Sequence, residues 1–365
     1  MLSLSRCNME ILKRLQLPSH LKTKPTDEAN LRFGDIYSDH MFLMDYFAGQ
    51  WRNPRVEPFG PLILSPAAMV LHYSQTIFEG LKCYRHPDGR LALFRPKDNF
   101  KRLNASAARM SIPLLDEASL LEALKELLKI DGHWTPSHPG STLYIRPFVI
   151  ATEPHLGVRP SQEYLFLIIT GPVGPYYKEG FAPIKIYVES HYTRSAPGGL
   201  GAVKAGASYA SSLLATEKAA QKGFTQLLWL DSVHHRYIEE VGSMNMFFVL
   251  DGQIVTSPLT GGTILPGLTR ASVLTVAEKL GIPAVEKPID INDLIAAQKS
   301  GRLTEAFGSG TAAVISPVGL LSYQDQDYVV NDGQVGRITQ TLYDELVSIQ
   351  YGLKPDPYGW VEILG

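Results

Sequence analysis

The chain has 365 residues, with 34 Lys or Arg against 36 Asp or Glu and a formal net charge of −2. That balance excludes the one-signed field of a nucleic-acid or membrane-surface protein. No run approaches the roughly 18 consecutive apolar residues of a spanning helix, and the length exceeds one comfortable core, so two domains are expected.

Taken in chain order, the basic stretch Met1 to Lys24 carries Arg6, Lys13, Arg14, Lys22 and Lys24 against Glu10. It vaguely resembles an organelle-targeting segment, but the preferred reading is a flexible tail over 1–32 with one amphipathic turn around Met9 to Leu17. Met41 to Phe47 and Leu62 to Leu64 read as strands. Leu81 to Tyr84 and Leu91 to Phe94 flank the turn Pro87-Asp88-Gly89-Arg90 and predict a hairpin. Phe100, Leu103, Ala107 and Met110 space a helix over Pro96 to Met110, and the leucines of Asp116 to Ile130 line one face of a second. Leu143 to Ala151 and Tyr164 to Thr170 are buried-strand runs. The Pro/Gly cluster Gly171 to Gly180 then marks a domain boundary.

Beyond it, strands are predicted at Ile184 to Glu189 and Gln226 to Leu230. A helix is predicted over Tyr209 to Lys222, and a hairpin over Met246 to Leu250 and Gln253 to Thr256. Further helices follow at Thr269 to Leu280, Ile291 to Ser300 and Ile338 to Tyr351. Interspersed strands and helices in both halves give a mixed α/β (α+β) class. The domains are an N-terminal one over 1–172, a linker over 173–183 and a larger C-terminal one over 184–365. Cys7 and Cys83 are the only cysteines, so neither a disulfide framework nor a cysteine-rich zinc site is expected, and a reducing, cytoplasmic compartment is.

Two segments carry chemistry. Lys204 lies in the small-residue run Gly198 to Ser208, where an amine has room to form a Schiff base with an aldehyde. Lys82, Lys97 and Lys185 lack such surroundings and read as solvated charges. Glu240 opens Glu240-Val241-Gly242-Ser243-Met244-Asn245, and its carboxylate could hold the proton of a pyridinium nitrogen. Three places could hold a phosphate: the helix start Gly267-Leu268-Thr269-Arg270, the small-residue loop Gly308-Ser309-Gly310-Thr311-Ala312, and Arg102 on its helix. No Gly-x-x-x-x-Gly-Lys-Ser/Thr exists, and Gly199-x-Gly201 lacks the third dinucleotide glycine, which disfavours an ATPase and a nicotinamide oxidoreductase. His234-His235 and Asp325-Gln326-Asp327 read as polar turns rather than metal sites.

The stretch Glu240-x-Gly242-x-x-Asn245-Met246-Phe247, Ile254-x-Thr256, Leu265-x-Gly267-Leu268-x-Arg270 resembles the class IV aminotransferase signature. Leu71 to Lys82, Leu143 to Pro147, Glu153 to Val158 and Phe307 to Ala312 are similar to the branched-chain aminotransferases within that class, and the likeness runs from about Phe33 to about Gly352. The resemblance implies a fold-type IV homodimer with pyridoxal 5′-phosphate between two domains. It implies that Lys204 carries the cofactor, Glu240 faces the pyridine nitrogen and Tyr209 meets the ring's phenolic oxygen. Arg102, Leu268, Thr269 and Thr311 would hold the phosphate, with Ser243 beside the cofactor where a Thr is common. Phe33, Phe78, Tyr144, Tyr209, Ser243 and Ala312 would enclose an aliphatic side chain, with Tyr73, Leu156 and Val158 entering from the partner subunit. Amides near Thr311 and Ala312 would receive the α-carboxylate, and Arg146 the second acid of glutamate. The implied activity is ping-pong transamination of L-leucine, L-isoleucine and L-valine with 2-oxoglutarate. The alternatives are a D-amino acid aminotransferase, an aminodeoxychorismate lyase or a non-catalytic binding protein of the same fold. Where vertebrate members carry Cys-x-x-Cys, this chain has Ala313-Val314-Ile315-Ser316, so no thiol switch is expected there.

Overall fold

The strands expected at 41–47, 143–151 and 164–170 form the centre of one sheet. A computed structural model describes residues 10–175 and 181–364. By contacts the chain divides into Met1–Gly174 with Glu362–Gly365, and Pro175–Val361.

In the first unit the elements are β1 (Leu12–Lys13), β2 (His40–Phe47), β3 (Gln50–Pro58), α1 (Met69–Tyr73), β4 (Thr76–Phe78), β5 (Leu81–Arg85), β6 (Leu91–Phe94), α2 (Pro96–Arg109), α3 (Glu117–Asp131), β7 (Thr142–Ala151) and β8 (Tyr164–Val173). The strand order is β1-β3-β2-β8-β7-β5-β6, with β4 also on β7. Pairing of β7 with β8 runs unbroken from Thr142↔Val173 to Ala151↔Tyr164. The expected hairpin β5–β6 forms, with Cys83 opposite Leu93. Helix α3 starts where its cap predicts: the Asp116 carboxylate accepts from the Ser119 amide at 2.8 Å, satisfying one orphan donor of the first turn. Its Leu120, Leu124, Leu127 and Leu128 are buried.

Three expectations for this unit need correction. The described part of the N-terminal stretch is held in place rather than being a tail with an amphipathic turn. Leu12 and Lys13 pair parallel with Arg55 and Val56. The Gln16 amide donates to His40 Nε2 at 2.9 Å, while His40 Nδ1 lies 2.7 Å from Asp131, and the Lys22 amide donates to Asp39 at 2.8 Å. Leu62–Leu64 is not a strand, because Pro61 and Pro66 bracket it and no neighbour among the described residues pairs with it; Ile63 is fully exposed. Lys82 is buried rather than solvated, and burial pushes its amine down to about 8.

The second unit contains β9 (Ile184–Glu189), α4 (Gly206–Ala210), α5 (Leu213–Gln221), β10 (Gln226–Leu230), β11 (Ile238–Val241), β12 (Met244–Leu250), β13 (Gln253–Thr256), α6 (Leu268–Lys279), β14 (Ala284–Glu286), α7 (Ile291–Lys299), β15 (Leu303–Gly310), β16 (Val314–Tyr323), β17 (Gln326–Val329) and α8 (Arg337–Gln350). Its sheet runs β11-β10-β9-β16-β15-β12-β13-β14, and β11 also pairs with β12. Strands β9, β10, β11, β12, β15 and β16 therefore close into a ring, which removes their open edges. Ile186, Leu228, Phe248, Leu321 and Ile291 are fully buried members of one cluster on these strands and α7.

The closing strand β18 (Val361–Ile363) joins the first sheet beside β6, and the Leu364 amide donates to Leu91 O at 2.8 Å. The C-terminal unit thus stops short of the expected 184–365. Of the expected 173–183 linker, Val173 ends β8 and Tyr176 to Gly180 lie outside the described residues. The helix expected over Tyr209 to Lys222 is two helices. Ser211 and Ser212 direct their hydroxyls to Ser208 O and Tyr209 O at 3.0 and 2.7 Å, offering the carbonyls an alternative to the helical ladder. Gly308 to Gly310 belong to β15, not to a loop, and Asp325 to Asp327 turn into a strand, β17.

Candidate active site

Lys204 lies on the segment leading into α4. The Ala202 amide donates to Gly262 O at 3.1 Å and Val203 to Leu200 O at 3.0 Å. Only glycine fits at 201, where a Cβ would sit 2.1 Å from Thr263 O. The segment is thereby pressed against the 262–263 loop, and half-buried Lys204 donates from Nζ to the Tyr209 hydroxyl at 3.0 Å.

Glu240 is on β11 opposite Asn245 of β12, in a hairpin closed by Gly242 and exposed Ser243. Its carboxyl is buried and held by two side chains. Asn245 Nδ2 donates to Oε1 at 3.1 Å and also to Leu265 O at 2.9 Å. Arg194 Nη1 lies 2.6 Å from Oε2, off the direction of a hydrogen bond, so Oε2 is buried without a donor. Arg194 itself is fixed by carbonyls, through Nη1 to Thr263 O at 3.0 Å and Nη2 to Gly201 O at 3.2 Å. Burial pushes Glu240 up to about 7, against the opposing pull of Arg194 and, more weakly, of Lys204. Neighbouring Glu239 is also raised, chiefly by burial.

Helix α6 begins at Leu268 with Gly267 as its N-cap, so the Leu268 and Thr269 amides stand in the first turn, where an anion is favoured. Thr311 and Ala312 occupy the turn between β15 and β16. The site's composition fits a B6 phosphate: an amine, a phenol, a buried carboxyl with an oxygen lacking a donor, and a helix start all lie in one unit.

In the first unit, Arg102 of α2 is buried and clamped by Glu79, through Nε at 2.7 Å and Nη2 at 2.9 Å. Tyr144 and Arg146 share a face of β7 with Phe78 nearby. Arg146 donates to the Tyr144 hydroxyl at 3.1 Å and lies 4.6 Å from the centroid of the Phe78 ring. Phe33 meets Tyr144 edge-on at 4.7 Å. Phe33, Tyr144 and Arg146 line a small cavity with Thr170 and Gly171. Tyr73 donates to Leu156 O, and Tyr73, Leu156 and Val158 are exposed. His234 and His235 are exposed in a turn, and no cluster of metal-ligating side chains occurs among the described residues.

Residues 76–321, more than half of the chain, match the model of the family described as amino-transferase class IV. The chain belongs to that family. A branched-chain-amino-acid aminotransferase 2 of Bacillus subtilis is 52% identical over 348 residues, 95% of each chain. Among solved structures, a branched-chain amino acid aminotransferase from Escherichia coli superimposes with a TM-score of 0.72 at 27% identity, covering 89% of this chain and 98% of that one. A branched-chain amino acid aminotransferase of T.th., complexed with N-(5′-phosphopyridoxyl)-L-glutamate, gives 0.72 at 25% identity, covering 88% and 98%. The class IV signature names Glu240 and Asn245 but not Arg194 or Glu79. Their sequence signal is a lone charge inside a run of small or apolar residues, which burial obliges to find a partner.

Proposed function

We propose that the protein exchanges amino groups between branched-chain L-amino acids and 2-oxoglutarate, using pyridoxal 5′-phosphate. The observation that carries the reading is the constellation of Lys204, Tyr209 and Glu240 in one unit, with the lysine amine 3.0 Å from the phenol and the carboxylate buried and ion-paired. The T.th. relative, with a phosphopyridoxyl-glutamate bound, supports both the cofactor and glutamate as the second amino acid.

Bound to this protein, the cofactor supplies an aldehyde that takes up the amino group and a ring that accepts electrons from the substrate Cα. Lys204 would anchor it, then serve as the base that takes the substrate Cα proton and delivers it to the cofactor's C4′. Tyr209 holds the lysine amine in place. Glu240, fixed by Asn245 and Arg194, would keep the ring nitrogen protonated. The first-turn amides of α6, Thr311 and Ser243 are the residues offered to the phosphate and its surroundings; the class IV likeness adds Arg102, which Glu79 holds within the first unit. Phe33, Phe78 and Tyr144 give an aliphatic side chain apolar faces, Ala312 borders the carboxylate position, and Arg146 would read the second acid of glutamate.

Exposed Tyr73, Leu156 and Val158 support assembly as a homodimer in which these side chains complete the partner's pocket. A cytoplasmic location accords with Cys83, a buried free thiol; Cys7 lies outside the described residues. Among those residues no helix is long and apolar enough to cross a membrane.

The test is borohydride reduction of the purified yellow protein, followed by peptide mass mapping. Label at Lys204, together with turnover of L-leucine and none of D-leucine, is expected. Label at another lysine, or none, refutes the reading.

A further inference from the structure

The corner Phe78-Glu79-Gly80 at the end of β4 meets both Arg102 and Arg146 of the first unit. Glu79 clamps Arg102, and the Phe78 ring lies against the Arg146 guanidinium. Gly80 does something less visible: it leaves space. A Cβ on Gly80 would stand 2.0 Å from the Tyr144 hydroxyl oxygen and 2.9 Å from its Cζ. The tyrosine hydroxyl therefore occupies the place a side chain at 80 would need. That hydroxyl accepts from Arg146 Nη2 at 3.1 Å, and the guanidinium sits 4.6 and 5.4 Å from the centroids of the Phe78 and Tyr144 rings. Among the described residues no carboxylate pairs with Arg146, and its Nε is buried without a hydrogen-bond partner. A guanidinium held between two rings and not neutralised by a neighbouring carboxylate keeps its charge for an anionic ligand group.

We propose that Gly80 is a specificity-determining positioning residue: by making room for the Tyr144 hydroxyl it fixes Arg146 for the second carboxylate of an acidic substrate. The proposal rests on the transaminase reading above. An aliphatic substrate side chain meets the apolar faces of Phe33, Phe78 and Tyr144 and has no use for the guanidinium. Acidic substrates depend on it. The two substrate classes should therefore respond differently to a methyl group at 80. Ala at this position must push the hydroxyl more than about 1 Å to restore ordinary contact, and Phe33, edge-on to the same ring at 4.7 Å, limits where it can go. The Tyr144–Arg146 hydrogen bond is the interaction that gives way.

The experiment follows the two half-reactions of the holoenzyme separately by single-turnover absorbance, with L-leucine and with L-glutamate. Gly80→Ala is expected to raise the leucine-to-glutamate ratio of kcat/KM by about 10- to 100-fold, the loss of a charge-assisted hydrogen bond, mainly through the KM of the acidic substrate. Tyr144→Phe, which keeps the ring and removes the hydroxyl, is expected to move the ratio the same way. The double variant should resemble Tyr144→Phe alone, because Gly80 acts through that hydroxyl. Equal losses in both half-reactions, or effects that simply add, would overturn the proposal. Should Gly80→Ala fail to fold, an unchanged ratio in Tyr144→Phe overturns it. A wild-type protein without a leucine half-reaction would instead refute the transaminase reading, so the two failures are distinguishable.

Discussion

Replacing Arg194 with Met should move the acid limb of the pH–rate profile. Arg194 and Glu240 form a 2.6 Å ion pair with side chains only 8% and 3% exposed, so water screens little of their attraction. An opposite charge this close lowers a carboxyl pKa by about 1–3. Glu240 stands at about 7 even with Arg194 beside it, because burial outweighs the pairing. Without the guanidinium, its ionised fraction at pH 7 would fall from about half to about 9% for a rise of one and about 0.1% for a rise of three. The leucine half-reaction, measured from about pH 6 to 10, should lose roughly 5- to 500-fold in rate at pH 7 and recover as pH rises. Arg194→Lys should shift the limb less. Stability carries the same signature. The folded state holds the Glu240 proton more tightly than the unfolded chain, so this contribution is complete below about pH 4.5 and is lost as pH rises through about 7, a change of about 3 kcal/mol. In Arg194→Met the loss should extend to higher pH. A uniform fall in rate with the acid limb unmoved would refute the reasoning and leave Arg194 a purely structural residue.

Lys204→Ala should abolish transamination and the borohydride label, read by steady-state assay and mass spectrometry; a fully active variant would end the assignment. Glu240→Gln keeps the shape but cannot carry the charge, and turnover of L-leucine should fall by several orders of magnitude, whereas an unchanged rate would give Glu240 another role. Glu79→Ala leaves the Arg102 guanidinium buried and unpaired on that side, and urea denaturation should show a loss of about 3–5 kcal/mol. A loss below about 1 kcal/mol would mean that other groups already satisfy Arg102.

The long periodic elements were legible because one force dominates them. The leucine face of α3, the apolar runs of β7 and β8, and the hairpin of β5 and β6 follow from burial and turn chemistry alone. Elements whose own residue types do not announce a strand were not. Strand β3 carries Asn53-Pro54 at its middle, yet pairs with β2 from His40↔Pro58 to Phe47↔Gln50 across a bulge. Strand β11, only four residues long, exists because β10 and β12 flank it. Strands β15 and β16 are rich in Gly, Ser and Pro, and ring closure rather than propensity makes them strands. At the site, Lys204 and Glu240 stood out by their surroundings and by the class IV signature. Arg194 and Glu79 did not, since a lone charge names no partner until the chain folds. Tyr144 and Gly80 illustrate the same limit: their relation is a steric gap, which no residue type announces.

The two-residue strand β1 covers only Arg55 and Val56 of β3, so most of that margin of the first sheet has no strand on its outer side among the described residues. Composition guards what the short strand leaves bare: Pro54 and Pro58 withhold amide donors, and Arg52, Arg55 and Glu57 carry charge. A truncation past Arg14 would remove the backbone pairing at Arg55 and Val56, including the bond from the Arg14 amide to Val56 O, and present a hydrogen-bonding lip to other chains. Solubility of shortened versions at high concentration should therefore depend on whether that small strand is retained.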